Sequence, residues 1–288
     1  MRRPLLLLCF AVIVGCSKKP ATEGERLEIP ATKGDSIAQF DLGLKYENGN
    51  GVPRDKAKAI ECFQKAADMG DARAEDRLGS IYLFGTGVPK DETKAAQWFR
   101  KAADHGNAHA QWSLGGAYEG GKGVTKDGAK ALEYYQKAAA QGYPAAQFYL
   151  GLMYRSGNGV PKDETKAAEW YRKAAYRGHA DAQSHLGEMY RWGEGVRRDD
   201  GEAAEWFRKA AEQGEPVAQY CLGTLYADGI GVPKDDVRAY AWLNLVAARN
   251  DREAAVMRDE IEKRMTAEQR AAAQKLSAEL FEKMPKEE

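Results

Sequence analysis

Small and apolar residues recur along the chain in two helical patterns that alternate. In the first, Ala74, Leu78 and Tyr82 fall at i, i+4 and i+8, one face of a helix, with Gly79 beside the leucine. The missing side chain at Gly79 lets another helix approach closely. In the second, Ala95, Phe99 and Ala102 share a face with Trp98 beside them, and the pattern stops at Gly106. Neither segment can bury its apolar stripe alone, so the pattern predicts pairs of helices, A then B, packed against neighbouring pairs.

The pairs repeat. Leu-Gly-x-x-Tyr begins at Leu42, Leu78, Leu114, Leu150, Leu186 and Leu222, 36 residues apart each time. Gly-x-Gly-Val begins in the same phase at Gly49, Gly85, Gly121, Gly157, Gly193 and Gly229. A third mark is an aspartate four residues before an alanine, from Asp55/Ala59 to Asp235/Ala239. These marks define six units: 35–70, 71–106, 107–142, 143–178, 179–214 and 215–250. The glycines break helix A, and the aspartates are placed to cap helix B, where a side-chain oxygen accepts from free N–H groups. Helix B ends at Gly70, Gly106, Gly142, Gly178 and Gly214, then at Asn250, the next best residue for a left-handed stop.

The combined phrase, A-x-x-L-G-x-x-Y, G-x-G-V, D-x-x-K-A, W-F-x-K-A-A-x-x-G, resembles the Sel-1-like repeat family, relatives of the tetratricopeptide repeats. Lys94-Ala95-Ala96-Gln97-Trp98-Phe99-Arg100-Lys101-Ala102-Ala103 carries it most fully, and the resemblance spans roughly Asp35 to Asn250. It implies an all-α fold, a right-handed α-α superhelix (solenoid) of helix-turn-helix repeats that contacts other proteins. Residues 251–288 are expected to supply C-terminal capping helices and a tail, with helices over 251–264 and 266–284. The second helix opens on the capping-box pattern Thr266-Ala267-Glu268-Gln269, and Ala272, Leu276 and Leu280 are expected to form its buried stripe.

The N-terminus departs from this pattern. Arg2 and Arg3 precede an apolar run from Leu5 to Val14, too short to span a membrane. Ile13-Val14-Gly15-Cys16 resembles the lipobox of bacterial lipoproteins, which implies a signal peptide over 1–15 and lipidation of Cys16. Ser17, rather than aspartate, follows the cysteine, and by the same resemblance this implies the outer membrane, facing the periplasm. Residues 16–34, rich in Pro, charge and small residues, are expected to form a flexible tether.

Charge narrows the partners. Lys plus Arg equals Asp plus Glu, 43 each, so no basic field is available to gather nucleic acid. Chemistry is sparse. His105 and His109 are split by Gly106, and neither His-Glu-x-x-His nor Cys-x-x-Cys accompanies them, so all four histidines are expected at the surface and no metal is expected. Cys62 and Cys221, in the first and last units, are expected to be free buried thiols. No Gly-x-Ser-x-Gly or Ser-x-x-Lys occurs. The expectation is a non-catalytic adaptor without a cofactor, binding a protein or extended peptide in the cell envelope. The alternative is a cell-wall or β-lactam-directed hydrolase or binder related to the cysteine-rich branch of the family, whose regular disulfide in each repeat is absent here.

Information about a partner must lie at helix-A positions that vary between copies. By resemblance to tetratricopeptide repeats, helix A lines a concave face, into which the residues two before and two after the repeated leucine point. The first position holds Phe40, Asp76, Trp112, Phe148, Ser184 and Tyr220; the second holds Leu44, Ser80, Gly116, Leu152, Glu188 and Thr224. Arg155 and Arg191 follow one turn on, with Phe84 and Trp192 at the helix ends. Aromatic residues and arginine dominate binding hot spots, which makes Phe40, Phe84, Trp112, Phe148, Arg155, Arg191, Trp192 and Tyr220 the candidate partner-binding residues. Two readings stay open: rings lining a groove, or rings packed between adjacent A helices.

Overall fold

The computed structural model describes residues 35–285, so the expected signal peptide, the lipid site Cys16 and the tether over 16–34 lie outside the described residues. Among the described residues there are fourteen α-helices and no strand. A and B helices alternate: α1 (Ser36–Asn48) and α2 (Lys56–Asp68), α3 (Ala72–Phe84) and α4 (Glu92–Asp104), α5 (Ala108–Gly120) and α6 (Gly128–Ala140). Then come α7 (Pro144–Ser156) and α8 (Glu164–Tyr176), α9 (Ala180–Trp192) and α10 (Asp200–Glu212), α11 (Pro216–Asp228) and α12 (Asp236–Ala247). The tail adds α13 (Arg252–Lys263) and α14 (Ala267–Lys283). None of these helices is long and apolar enough to cross a membrane.

The chain divides into two compact units between Leu78 and Gly79. The first holds α1, α2 and the opening turns of α3. Its core is Leu42, Phe63, Ala66 and Ala74, all buried, and Gly43 lies flat against the Phe63 ring. The second unit is a solenoid of helix pairs in which consecutive helices from α4 to α13 pack on one another and α14 packs on α12.

The local signals read from the sequence act as expected. Asp55, Asp91, Asp127, Asp163, Asp199 and Asp235 each cap a B helix, the side chain accepting from backbone N–H groups of the first turn. Helix A stops at a left-handed glycine, such as Gly121 at φ 68°, and Asn250 at φ 66° is the one non-glycine with positive φ among the described residues. The glycine of Leu-Gly-x-x-Tyr is where helices A and B of a pair meet. A Cβ on Gly115 would lie 2.8 Å from Tyr135 ring atoms, and one on Gly151 would lie 2.5 Å from those of Tyr171. Leu114, Leu150, Leu186 and Leu222 are fully buried beside these contacts.

A ladder of buried glutamines ties each pair from α5/α6 onward to the previous one. Gln111, Gln147, Gln183 and Gln219 on the A helices donate from Nε2 to the carbonyls of Ala103, Ala139, Ala175 and Ala211, near the ends of the preceding B helices, at 3.0–3.3 Å. Each of these carbonyls also accepts the N–H of the glycine that ends the helix, at 2.9–3.0 Å, and the glutamine amide fills its second lone pair.

The tail packs on α12. Asn244 Nδ2 donates to Ser277 Oγ at 2.9 Å, Arg264 pairs with Asp236 at 2.6 Å, and the capping box between Thr266 and Gln269 is formed. Two expectations need correction. The inward stripe of α14 runs through Ala273, Ser277, Leu280 and Met284, whereas Ala272 is exposed. Leu276 and Leu280 are both half-buried, so the expected stripe fails at Ala272 alone. Of the histidines, His105 is exposed, but His109, His179 and His185 are half-buried against aromatic rings. Cys62 is buried and Cys221 half-buried, and neither forms a disulfide among the described residues.

Candidate functional site

One concavity in the second unit opens where two variable helix-A positions carry almost no side chain. Gly116 and Gly120 on α5 occupy positions held by Leu152 and Ser156 on α7 and by Glu188 and Trp192 on α9. Ser80 on α3 is small as well. Their absent bulk leaves a cavity of about 430 Å³ among α3, α4, α5, α6 and α7, within the roughly 300–1,000 Å³ usual for ligand pockets. Unlike Gly115, Gly116 is not held by packing: a Cβ there would meet just Tyr135 Oη, at an ordinary 3.6 Å.

A chain of rings forms the wall. Phe99 lies 6.3 Å from His109, His109 5.7 Å from Trp112, Trp112 6.2 Å from Tyr149, and Tyr149 stacks on Tyr135 at 5.3 Å. These are the edge-to-face and offset separations that aromatic pairs favour. Phe84, 76% exposed, also lines the cavity. Glu119, one turn beyond Gly116, accepts a hydrogen bond from Tyr135 Oη at 2.8 Å. Burial first, and then that bond, push the Tyr135 phenol far above its ordinary pKa, so it stays a donor at neutral pH.

A second aromatic group lies further along the A helices. Phe148 is sandwiched between His179, 4.7 Å away, and His185, 5.5 Å away, with Tyr171 at 5.7 Å. His179 caps α9, its Nδ1 accepting from Ala182 N–H at 3.3 Å. Burial lowers the His179 pKa, against the opposing pull of Asp181. Beside this group Arg155 joins Glu188 at 3.0 Å and Glu194 at 3.1 Å, while His185 Nδ1 lies 3.2 Å from the same Glu188 oxygen. These contacts lower the Glu188 pKa, the hydrogen bond to His185 being the largest cause.

The candidate residues therefore divide by what they touch. Phe84 and Trp192, 65% exposed, present rings to solvent, and Arg191 lies over the Trp192 ring at 5.2 Å. Trp112 and Phe148 are half-buried, each with one edge against neighbouring rings. Neither is fully buried: Trp112 lines the cavity, whereas Phe148 packs among Tyr171, His179 and His185. Arg155 spends its guanidinium on Glu188 and Glu194. Tyr220 donates to Glu253 at 2.9 Å; burial first, and then that bond, raise its pKa to about 12. In the first unit Phe40 packs on Phe63 at 5.6 Å beneath the Arg73 guanidinium. Sequence reasoning missed Glu119, Tyr135, Tyr149 and His109 as a group. The signal available was the pair of small residues, Ser80 and Gly116, in an otherwise bulky column.

Among the described residues no group of three or more His, Cys, Asp or Glu side chains is arranged to hold a metal. A family model described as "Sel1 repeat" matches residues 36–71, 72–107, 108–143, 144–179, 180–215 and 216–251. The crystal structure of a Sel1 repeat protein from Oxalobacter formigenes is 38% identical, with a TM-score of 0.75, over 82% of this chain and 68% of that one. A protective antigen of uropathogenic Escherichia coli with an SLR fold is 32% identical, with a TM-score of 0.41, over 90% of this chain and 71% of that one. DAP3-binding cell death enhancer 1 of Rattus norvegicus is 46% identical over 39 residues, 14% of this chain and 8% of that protein. The chain thus spans about a tenth of the length of the curated relatives it matches, 8% and 11%.

Proposed function

Because the chain belongs to the Sel1 repeat family, we propose that it is a non-catalytic adaptor that holds a protein or extended peptide against its helix-A residues. Proteins built from these repeats are generally protein-interaction scaffolds. The observation that carries the reading is the contrast between positions. Those that repeat are buried in the stack, whereas the helix-A positions that vary produce exposed rings at Phe84 and Trp192 and an aromatic cavity at Gly116. Exposed aromatic residues around a concavity match the anchors of protein interfaces.

The proposal extends to place: a lipid on Cys16 tethers the scaffold to the bacterial envelope, on the outer membrane and facing the periplasm, where its partner resides. The support is the run ending Ile13-Val14-Gly15-Cys16, followed by Ser17. Replacing both Phe84 and Trp192 by alanine tests the binding half. Those rings contribute little to the core, so folding is expected to survive while partner capture is lost; unchanged capture would contradict the reading. Cys16→Ser tests the anchor, which requires release of the chain from membranes.

A further inference from the structure

The charge inside the cavity is not required by the stack. Of its ionisable groups, Glu92 is matched by Lys90 at 2.9 Å, and the stem of Lys122 folds across Gly120. His109 is packed among rings. Glu119 is different: its contact is the Tyr135 phenol, and no cation among the described residues pairs with it. The hydrogen bond occupies Oε2 and orients the carboxylate beside Gly116. A carboxylate at an aromatic wall favours a cation, because ring faces attract positive charge and a partly enclosed site screens the attraction less than water does.

The shape narrows the cation. Rings from Phe99 to Tyr149 provide apolar surface for an alkyl stem, and Glu119 provides an acceptor for its charged end. A guanidinium fits this pair of demands better than an ammonium, since its plane stacks on rings and its fork matches a carboxylate. Resting on the scaffold reading above, we propose that the cavity is a specificity pocket for an arginine side chain within an extended segment of the partner protein. In the two copies that follow, Leu152 and Glu188 stand where Gly116 leaves room.

Trp112 supplies a local probe. The full chain, labelled with fluorotryptophan and with the Trp112 signal assigned through Trp112→Phe, is titrated with the peptide acetyl-Gly-Ser-Arg-Ser-Gly-amide. A second titration uses the same peptide carrying citrulline, which is neutral and nearly the same shape. The arginine peptide is expected to move the Trp112 fluorine signal along a saturable curve, with the citrulline peptide at least about tenfold weaker, a difference of about 1.4 kcal/mol. Glu119→Gln is expected to weaken the arginine peptide by a similar factor and leave the citrulline peptide unchanged. Gly116→Leu, which fills the cavity, is expected to abolish both responses with helical circular dichroism retained.

Equal response to the two peptides, no response to either, or unchanged binding by folded Gly116→Leu protein overturns the proposal. So does free arginine binding as tightly as the peptide, which would assign the site to a small molecule. If Gly116→Leu does not fold, Glu119→Gln decides. Partner capture that persists in both variants would remove the pocket and leave the scaffold standing. Loss of the scaffold reading would appear separately, as an absence of partner adducts from a photocrosslinking amino acid placed at Phe84 or Trp192 in a chain that keeps Gly116 and Glu119.

Discussion

Gly115 touches the face of Tyr135 so closely that a Cβ would sit 2.8 Å from two ring carbons, while its neighbour Gly116 would place one no nearer than 3.6 Å to the same side chain, at Oη. Adjacent glycines on one helix thus serve opposite purposes. The first lets helices A and B meet; the second opens the cavity. Gly115→Ala is expected to cost about 1–3 kcal/mol through overpacking. Gly116→Ala is expected to stabilise by up to about 1 kcal/mol, because alanine orders more readily in a helix. Urea unfolding of the two variants checks the contrast, which fails if both move the midpoint in the same direction.

The glutamine ladder yields a second test. Gln183 donates to Ala175 O at 3.0 Å and accepts from Gln213 Nε2 at 2.7 Å. Gln183→Met keeps the volume but removes one of the two hydrogen bonds to Ala175 O, which keeps the Gly178 N–H, and the acceptor of Gln213, an expected loss of about 0.5–1.5 kcal/mol. Exposed Gln97 is the control, and Gln97→Met is expected to change stability by no more than about 0.5 kcal/mol. Equal midpoints for the two variants would show that the ladder contributes nothing.

How much of this was legible beforehand depended on whether a feature was local. The aspartate caps, the left-handed Asn250, the Gly115 contact and the Thr266–Gln269 capping box follow from residues close in sequence or fixed in phase. The ladder could have been found, since Gln39, Gln111, Gln147, Gln183 and Gln219 recur in one column, yet a polar residue on an apolar stripe gives no sign of where its amide reaches. The half-buried histidines were hidden for a related reason: His179 and His185 are ordinary surface residues until Phe148, a whole unit earlier, is stacked between them. The cavity needed the most context. Small residues at Ser80, Gly116 and Gly120 are visible in sequence, but the rings that wall it come from α4, α5, α6 and α7 together.

Acid sensitivity follows from the same stack. Burial depresses the His179 pKa below its ordinary 6.5, so on acidification the unfolded chain takes up that proton before the folded one does. The stability it contributes is present above 6.5 and is lost as pH falls through the depressed folded value, where protonation of Nδ1 also removes the acceptor for Ala182 N–H. Glu188, lowered from 4.5, adds a second loss below that pH. Asn107 fills the equivalent cap in the third unit, accepting from Ala110 N–H at 2.9 Å. His179→Asn is therefore expected to keep a cap and to flatten the urea midpoint below pH 6.5, leaving the fall below 4.5. An unaltered slope in the higher range would exclude His179 as its source.

The central claim is that the partner lies on the helix-A residues. It is tested most directly by placing a photocrosslinking amino acid in turn at Phe84 and Trp192, and at the exposed helix-B residues Gln97 and Glu169, in cells that make the chain. The account requires adducts with one defined protein from Phe84 and Trp192 and none from Gln97 or Glu169. Adducts from Gln97 and Glu169 without any from Phe84 or Trp192 would contradict it.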